Sequence, residues 1–121
     1  MIRIELNTNR MKLTVKGHAE PEEMEKYREC CAAASAISQA MVYAVSQWND
    51  GSALKALDYK NDPGDLMVKL FPEEKAEKQL QMILTLYGYG LELLAKSHPQ
   101  SVEMIWDGAK IIADHKEMKK A

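Results

Sequence analysis

The stretch Ile2-Arg3-Ile4-Glu5-Leu6-Asn7-Thr8-Asn9-Arg10-Met11-Lys12-Leu13-Thr14-Val15-Lys16-Gly17 decides the fold. Ile2, Ile4 and Leu6 alternate with Arg3, Glu5 and Asn7, the period of a strand with one buried face. Met11, Leu13 and Val15 alternate in the same way with Lys12, Thr14 and Lys16. The turn-forming Asn7-Thr8-Asn9 between them predicts an antiparallel hairpin ending at Gly17 and His18.

The pattern changes on the C-terminal side of the hairpin. Residues 18–26 are polar, acidic and interrupted by Pro21, and read as a loop. Apolar residues then recur at Tyr27, Cys30/Cys31, Ala34, Ile37, Met41, Val45 and Trp48, spaced by three and four, which predicts a helix with one buried stripe. Its Ala-rich middle favours the helix and lets neighbours approach closely, and Asn49-Asp50-Gly51 ends it. Strand candidates follow at 53–60, weakly patterned, and at Leu66, Val68 and Leu70, joined by a turn over 60–65. Pro72-Glu73-Glu74 opens a second helix with the stripe Ala76, Leu80, Ile83/Leu84, Tyr87, Leu91 and Leu94. Gly88 and Gly90 inside it point to close packing against another element. His98-Pro99 ends the helix, Val102 to Trp106 reads as a last strand, and residues from Ala109 as a short terminal helix. The order strand-strand-helix-strand-strand-helix plus a C-terminal tail predicts an α+β domain, an antiparallel sheet with two main helices on it.

A length of 121 residues suits one domain over 1–121, with 107–121 as a tail. The apolar share of 46% and charged share of 28% are those of a globular chain. A net charge of -2 creates no field for nucleic acid, and the lysines near His115 read as a solvated tail. No apolar run reaches the roughly 20 residues that cross a membrane, and the first residues are strand-like, not a secretory signal. The expected compartment is cytoplasmic, where thiols stay reduced. Cys30 and Cys31 are adjacent, with Cα atoms about 3.8 Å apart, closer than a disulfide spans.

A cysteine in the first turn of a helix is readily ionised by free backbone N–H groups and the helix dipole, and further by a neighbouring histidine. His18 at the strand end and Cys30/Cys31 near the helix start are joined by one loop. The two elements can lie side by side, with the histidine as base for a thiol nucleophile. Ser35, one turn after Cys31, shares its face. Spacing alone leaves the competing reading open, because a cysteine in an apolar stripe is commonly core.

Gly17-His18-Ala19 followed by Cys31-Ala32-Ala33-Ala34-Ser35-Ala36 resembles the ribosomal-processing cysteine protease (Prp) family, whose members show G-H-A, a glycine-containing loop and D-I-V-C-A-x-x-S-A. The element order to about residue 96 follows the same plan, although the specific motifs occupy only residues 17–36. The resemblance implies a cysteine–histidine peptidase that trims the N-terminal extension of a large-subunit ribosomal protein and is typically a homodimer. Carried over, it makes Cys31 the nucleophile, His18 the base and Ser35 a supporting hydroxyl. The loop Ala19 to Lys26 becomes the suspected substrate-binding segment. Its implied partner is a peptide or protein substrate, with no cofactor, no metal, no membrane and no direct nucleic acid.

The chain also departs from that pattern. Residues 20–26 contain no glycine, Arg28 stands where the family has an acid, and the His-to-Cys interval is one residue longer if Cys31 is the match. The interval alone selects Cys30. The C-A-x-x-S-A register selects Cys31 and is preferred, because insertions are easier in a loop than in a helix. These departures keep open a catalytically inactive peptide-binding module, or a structural homodimer with the Gly88-x-Gly90 region as interface. Other candidates are weaker. His98 and His115 lack partners at metal-ligand spacing, and Cys30, Cys31 and His18 lack a fourth zinc ligand. Glu20, Glu22, Glu23 and Glu25 read as an exposed acidic loop, and Trp48 and Trp106 as packing anchors.

Overall fold

The computed structural model describes residues 1–17 and 24–113, the side chains of 24–27 excepted. His18, the loop residues 19–23, His115 and the lysine-rich end lie outside the described residues. The element order is β1 (Ile2–Asn7), β2 (Lys12–Gly17), α1 (Met24–Gln47), β3 (Leu54–Asp62), β4 (Asp65–Pro72), α2 (Glu77–Ser97), β5 (Val102–Trp106) and β6 (Ala109–Lys110). The fold is α+β, as the patterning predicts.

The strands form one sheet in the order β3-β4-β2-β1-β5-β6. β1 pairs β2 antiparallel from Ile2↔Gly17 to Asn7↔Lys12, and β2 pairs β4 antiparallel with Val15 opposite Leu66. β3 and β4 form a hairpin closed by Pro63 and Gly64 between Asp62 and Asp65. Gly64 has φ 73, a conformation that favours glycine. β5 runs parallel to β1, Ile2 opposite Val102. The return from β4 through α2 requires no short hairpin, so a parallel pair sits in an otherwise antiparallel sheet.

Alternate residues of the central strands feed a core under the two helices. Ile2, Ile4, Leu6, Leu13, Leu66, Val68, Leu70, Val102 and Met104 are buried from the sheet, with Cys30, Ala34, Met41 and Val45 from α1 and Leu80, Ile83, Leu84, Leu91 and Leu94 from α2. Each large aliphatic removed from water contributes about 1.5–3 kcal/mol before entropy is counted. Ser38, the polar residue in the α1 stripe, donates to the Ala34 carbonyl at 2.7 Å, which makes its burial tolerable.

Three expectations are corrected. Ala109 and Lys110 pair with Trp106 and Ile105 as a strand instead of opening a helix. Asp107 (φ 49) and Gly108 (φ 83) form the two-residue turn that makes this hairpin, so the sheet continues beyond residue 107, the expected start of the tail. Met24 to Lys26, expected in the loop, are already helical. Gly88 is buried against Leu6 and Trp106, and Gly90 faces Ile37 of α1, the close packing against another element that these glycines predict. Trp48 is exposed instead of anchoring the core, whereas Trp106 meets Tyr89 edge-to-face with ring centroids 5.2 Å apart.

Candidate active site

The N-terminal half of α1, the end of β2 and the β3–β4 turn enclose a cleft of about 240 Å³. Ile2, Val15 and Leu66 supply its apolar floor, Cys31 and Ser35 one wall, and Asn61 to Asp65 the other. Gly17 lines it as well and donates its N–H to the Gly64 carbonyl at 3.1 Å, tying the strand end to the turn. A side chain at position 17 would place its Cβ 2.6 Å from the Met1 carbonyl oxygen, so only glycine lets β2 run this close to β1. The residue that follows Gly17 is His18.

Successive helical residues are rotated by about 100°, and that rotation separates the two cysteines. Cys30 is 1% exposed and belongs to the core cluster. Burial pushes its thiol pKa up, and the Glu29 carboxylate and the neighbouring Cys31 push it further in the same direction. Cys31 is half-buried, packs against the edge of the core and reaches the cleft. Ser35 stands four residues later on the same wall, its oxygen accepting a hydrogen bond from the Gln39 amide at 2.8 Å.

The opposite wall is charged. Lys60 donates to Asp65 at 2.7 Å and lies 3.8 Å from Asp62. The hydrogen bond and charge of Lys60, with a further contribution from Lys16, hold the Asp65 carboxyl below its ordinary pKa, and the same bond raises Lys60.

Contrary to the expectation from spacing, the cysteines do not lie in the first helical turn. Cys31 is the eighth residue of α1 counted from Met24, so its N–H falls within the i→i−4 ladder and the end dipole has faded there. The missed signal is Pro21-Glu22-Glu23, which repeats the Pro72-Glu73-Glu74 pattern ahead of α2. The structure brings Cys31, Ser35 and Gly17 to one cleft. His98 and Trp106 are not among its lining residues.

The sequence matches the model of the cysteine protease Prp family over residues 1–103. The chain belongs to this family. Two crystal structures of the Prp ribosomal processing protease from Staphylococcus aureus share its fold. The one with a covalently linked product peptide gives a TM-score of 0.65 at 18% identity, covering 88% of this chain and 99% of that one. The one with a substrate peptide gives 0.67 at 17% identity with the same coverage. A Streptococcus mutans protein gives 0.62 at 17% identity, covering 87% of this chain and 90% of that one. No curated protein sequence matches the chain. At these identities the structural likeness establishes the Prp fold, and family membership rests on the sequence match.

Proposed function

We propose that this Prp-family chain is a cysteine endopeptidase with Cys31 as nucleophile, His18 as base and Ser35 as supporting hydroxyl. Its proposed substrate is the N-terminal extension of a large-subunit ribosomal protein. The observation that supports the reading is the cleft itself, lined together by Cys31, Ser35 and Gly17, the residue before His18. The Staphylococcus aureus relatives hold peptides, and by that likeness we propose that an extended peptide occupies the cleft here, with residues 19–26 as its suspected binding segment.

The thiol proton passes to His18 as the sulfur electron pair forms a bond to the scissile carbonyl carbon and the carbonyl π pair moves to oxygen. Collapse of this adduct expels the amine, which takes the proton from His18 and leaves a thioester. Water, deprotonated by His18, then releases the acid and restores the thiol. Because Cys31 lies about two turns inside α1, activation of the thiol rests on His18 and Ser35 more than on the helix dipole.

We place the protein in the reducing cytoplasm; among the described residues no helix is long and apolar enough to cross a membrane. We also propose a homodimer. Met82, Leu86, Tyr89 and Leu93 recur on the outer face of α2, each more than half exposed, and such a stripe is a common protein interface.

A second reading is a peptide-binding homologue without turnover. Arg28 in place of the family's acid and the loop without glycine favour it. Incubation with an N-terminally extended ribosomal protein separates the two. A new N-terminus, lost in Cys31→Ala, supports the peptidase, and binding without a cut supports the module.

A further inference from the structure

Two helical hydroxyls in this fold behave in the usual way. Ser38 donates to the Ala34 carbonyl at 2.7 Å, and Thr85 to the Gln81 carbonyl at 2.9 Å. Ser35 differs: its oxygen accepts from the Gln39 side-chain amide at 2.8 Å, and among the described residues it donates to none. A hydroxyl carries one proton, which must point away from the donor it accepts. Cys31, Ser35 and Gln39 are successive i, i+4 neighbours on one face of α1. The first two line the cleft, and Gln39 stands one turn beyond its lining residues.

We infer that Gln39 is a positioning residue for the site: its amide holds the Ser35 hydroxyl off the helix carbonyl and leaves its proton directed into the cleft, toward the Cys31 sulfur. A thiolate formed there as His18 takes the Cys31 proton is a stronger acceptor than a backbone carbonyl. Gln39 acts only through Ser35 and touches no substrate. It stands outside the C-A-x-x-S-A motif, and the inference rests on the reading of Cys31 as nucleophile.

The test reads Cys31 directly. The pH profile of iodoacetamide alkylation at Cys31, resolved from Cys30 by peptide mass, is measured for the wild type, Gln39→Met, Gln39→Glu and Gln39→Lys. Each is repeated in a Ser35→Ala background. Met matches Gln in helix propensity, so folding is kept. Lys keeps a donor, whereas Glu offers only acceptors and captures the Ser35 proton. The charged groups around Cys31 are common to all variants: Lys16 from β2, Asp62 and Asp65 from the turn, and Arg28 and Glu29 from α1. Cys30 and His18 are common as well.

Loss of one such hydrogen bond corresponds to about a threefold to tenfold change. In Gln39→Met and Gln39→Glu the alkylation midpoint rises by about half a pH unit or more. On a peptide substrate kcat falls by a similar factor with KM unchanged. In Gln39→Lys the Ser35-dependent part persists, and in the Ser35→Ala background the Met and Glu substitutions leave the midpoint where it is. Equal shifts with and without Ser35, or no shift at all, overturn the inference. Absence of cleavage by the wild type overturns the peptidase reading instead, and the alkylation profile still decides Gln39.

Discussion

Cys30 and Cys31 are consecutive residues of α1 with opposite surroundings: the Cys30 side chain is sealed in the core, and that of Cys31 lines the cleft beside Ser35. Alkylation of the folded protein is therefore expected at Cys31 alone, with Cys30 labelled only after denaturation. Peptide mapping checks this. On the proposed assignment, Cys31→Ala is expected to abolish cleavage, and Cys30→Ala to keep it at a cost of about 1 kcal/mol in stability. Cleavage that survives in Cys31→Ala and disappears in a folded Cys30→Ala reverses the assignment.

Burial raises the Cys30 pKa above its unfolded value, so the folded state keeps the thiol protonated after the unfolded chain has lost its proton. The stability this contributes is complete below the unfolded pKa and is lost as pH rises beyond it toward the folded value. Denaturant midpoints are expected to fall above about pH 9, and to fall less in Cys30→Ala. Identical alkaline slopes in both proteins would count against this.

At Gly17 an added methyl collides with backbone, the Met1 carbonyl oxygen at 2.6 Å and the Ile2 Cα at 3.0 Å. Gly17→Ala therefore has to separate the paired ends of β1 and β2, at a cost of about 1–3 kcal/mol. Because His18 follows directly, cleavage should decline more than the loss of folded protein explains. Thermal unfolding beside specific activity per folded molecule provides the measurement.

Two glycines of α2 should respond with opposite sign. A Cβ at Gly88 meets Leu6 Cδ2 at 2.7 Å and Trp106 Cζ2 at 2.9 Å, so Gly88→Ala overpacks the helix–sheet contact and destabilises by about 1–3 kcal/mol. A Cβ at Gly90 meets the Ile37 side chain at 3.5 Å, an ordinary contact. Gly90→Ala should stabilise by up to about 1 kcal/mol through helix propensity. Melting temperatures of the two single variants test the contrast.

The stripe Met82, Leu86, Tyr89 and Leu93 is exposed on α2. If it joins two copies, Leu86→Glu leaves the fold intact and yields a monomer in sedimentation. An unchanged sedimentation coefficient would remove this face as the dimer contact.

Much of this was legible in the residues themselves. Alternation over Ile2–Leu6 and Leu66–Leu70 marked strands that are buried on one face as expected, and the α2 stripe fell where its spacing placed it. The final hairpin was missed because Asp107-Gly108, a turn signal, lies where the apolar pattern fades. The start of α1 was missed because acidic residues after Pro21 resemble a loop as much as a first turn.

The sequence by itself determined the local period of each strand and helix, the four-residue spacing of Cys31 and Ser35, and the motifs that relate the chain to Prp. Period fixes which residues share a face, because it is a property of the backbone alone. Only the tertiary structure decided what covers each face. It set Cys30 against the core and Cys31 in the cleft, aligned β5 parallel to β1, and turned Gly88 toward Leu6 and Trp106. The physical reason is that such contacts join residues distant in the chain, so they depend on how whole elements pack, which no local spacing records.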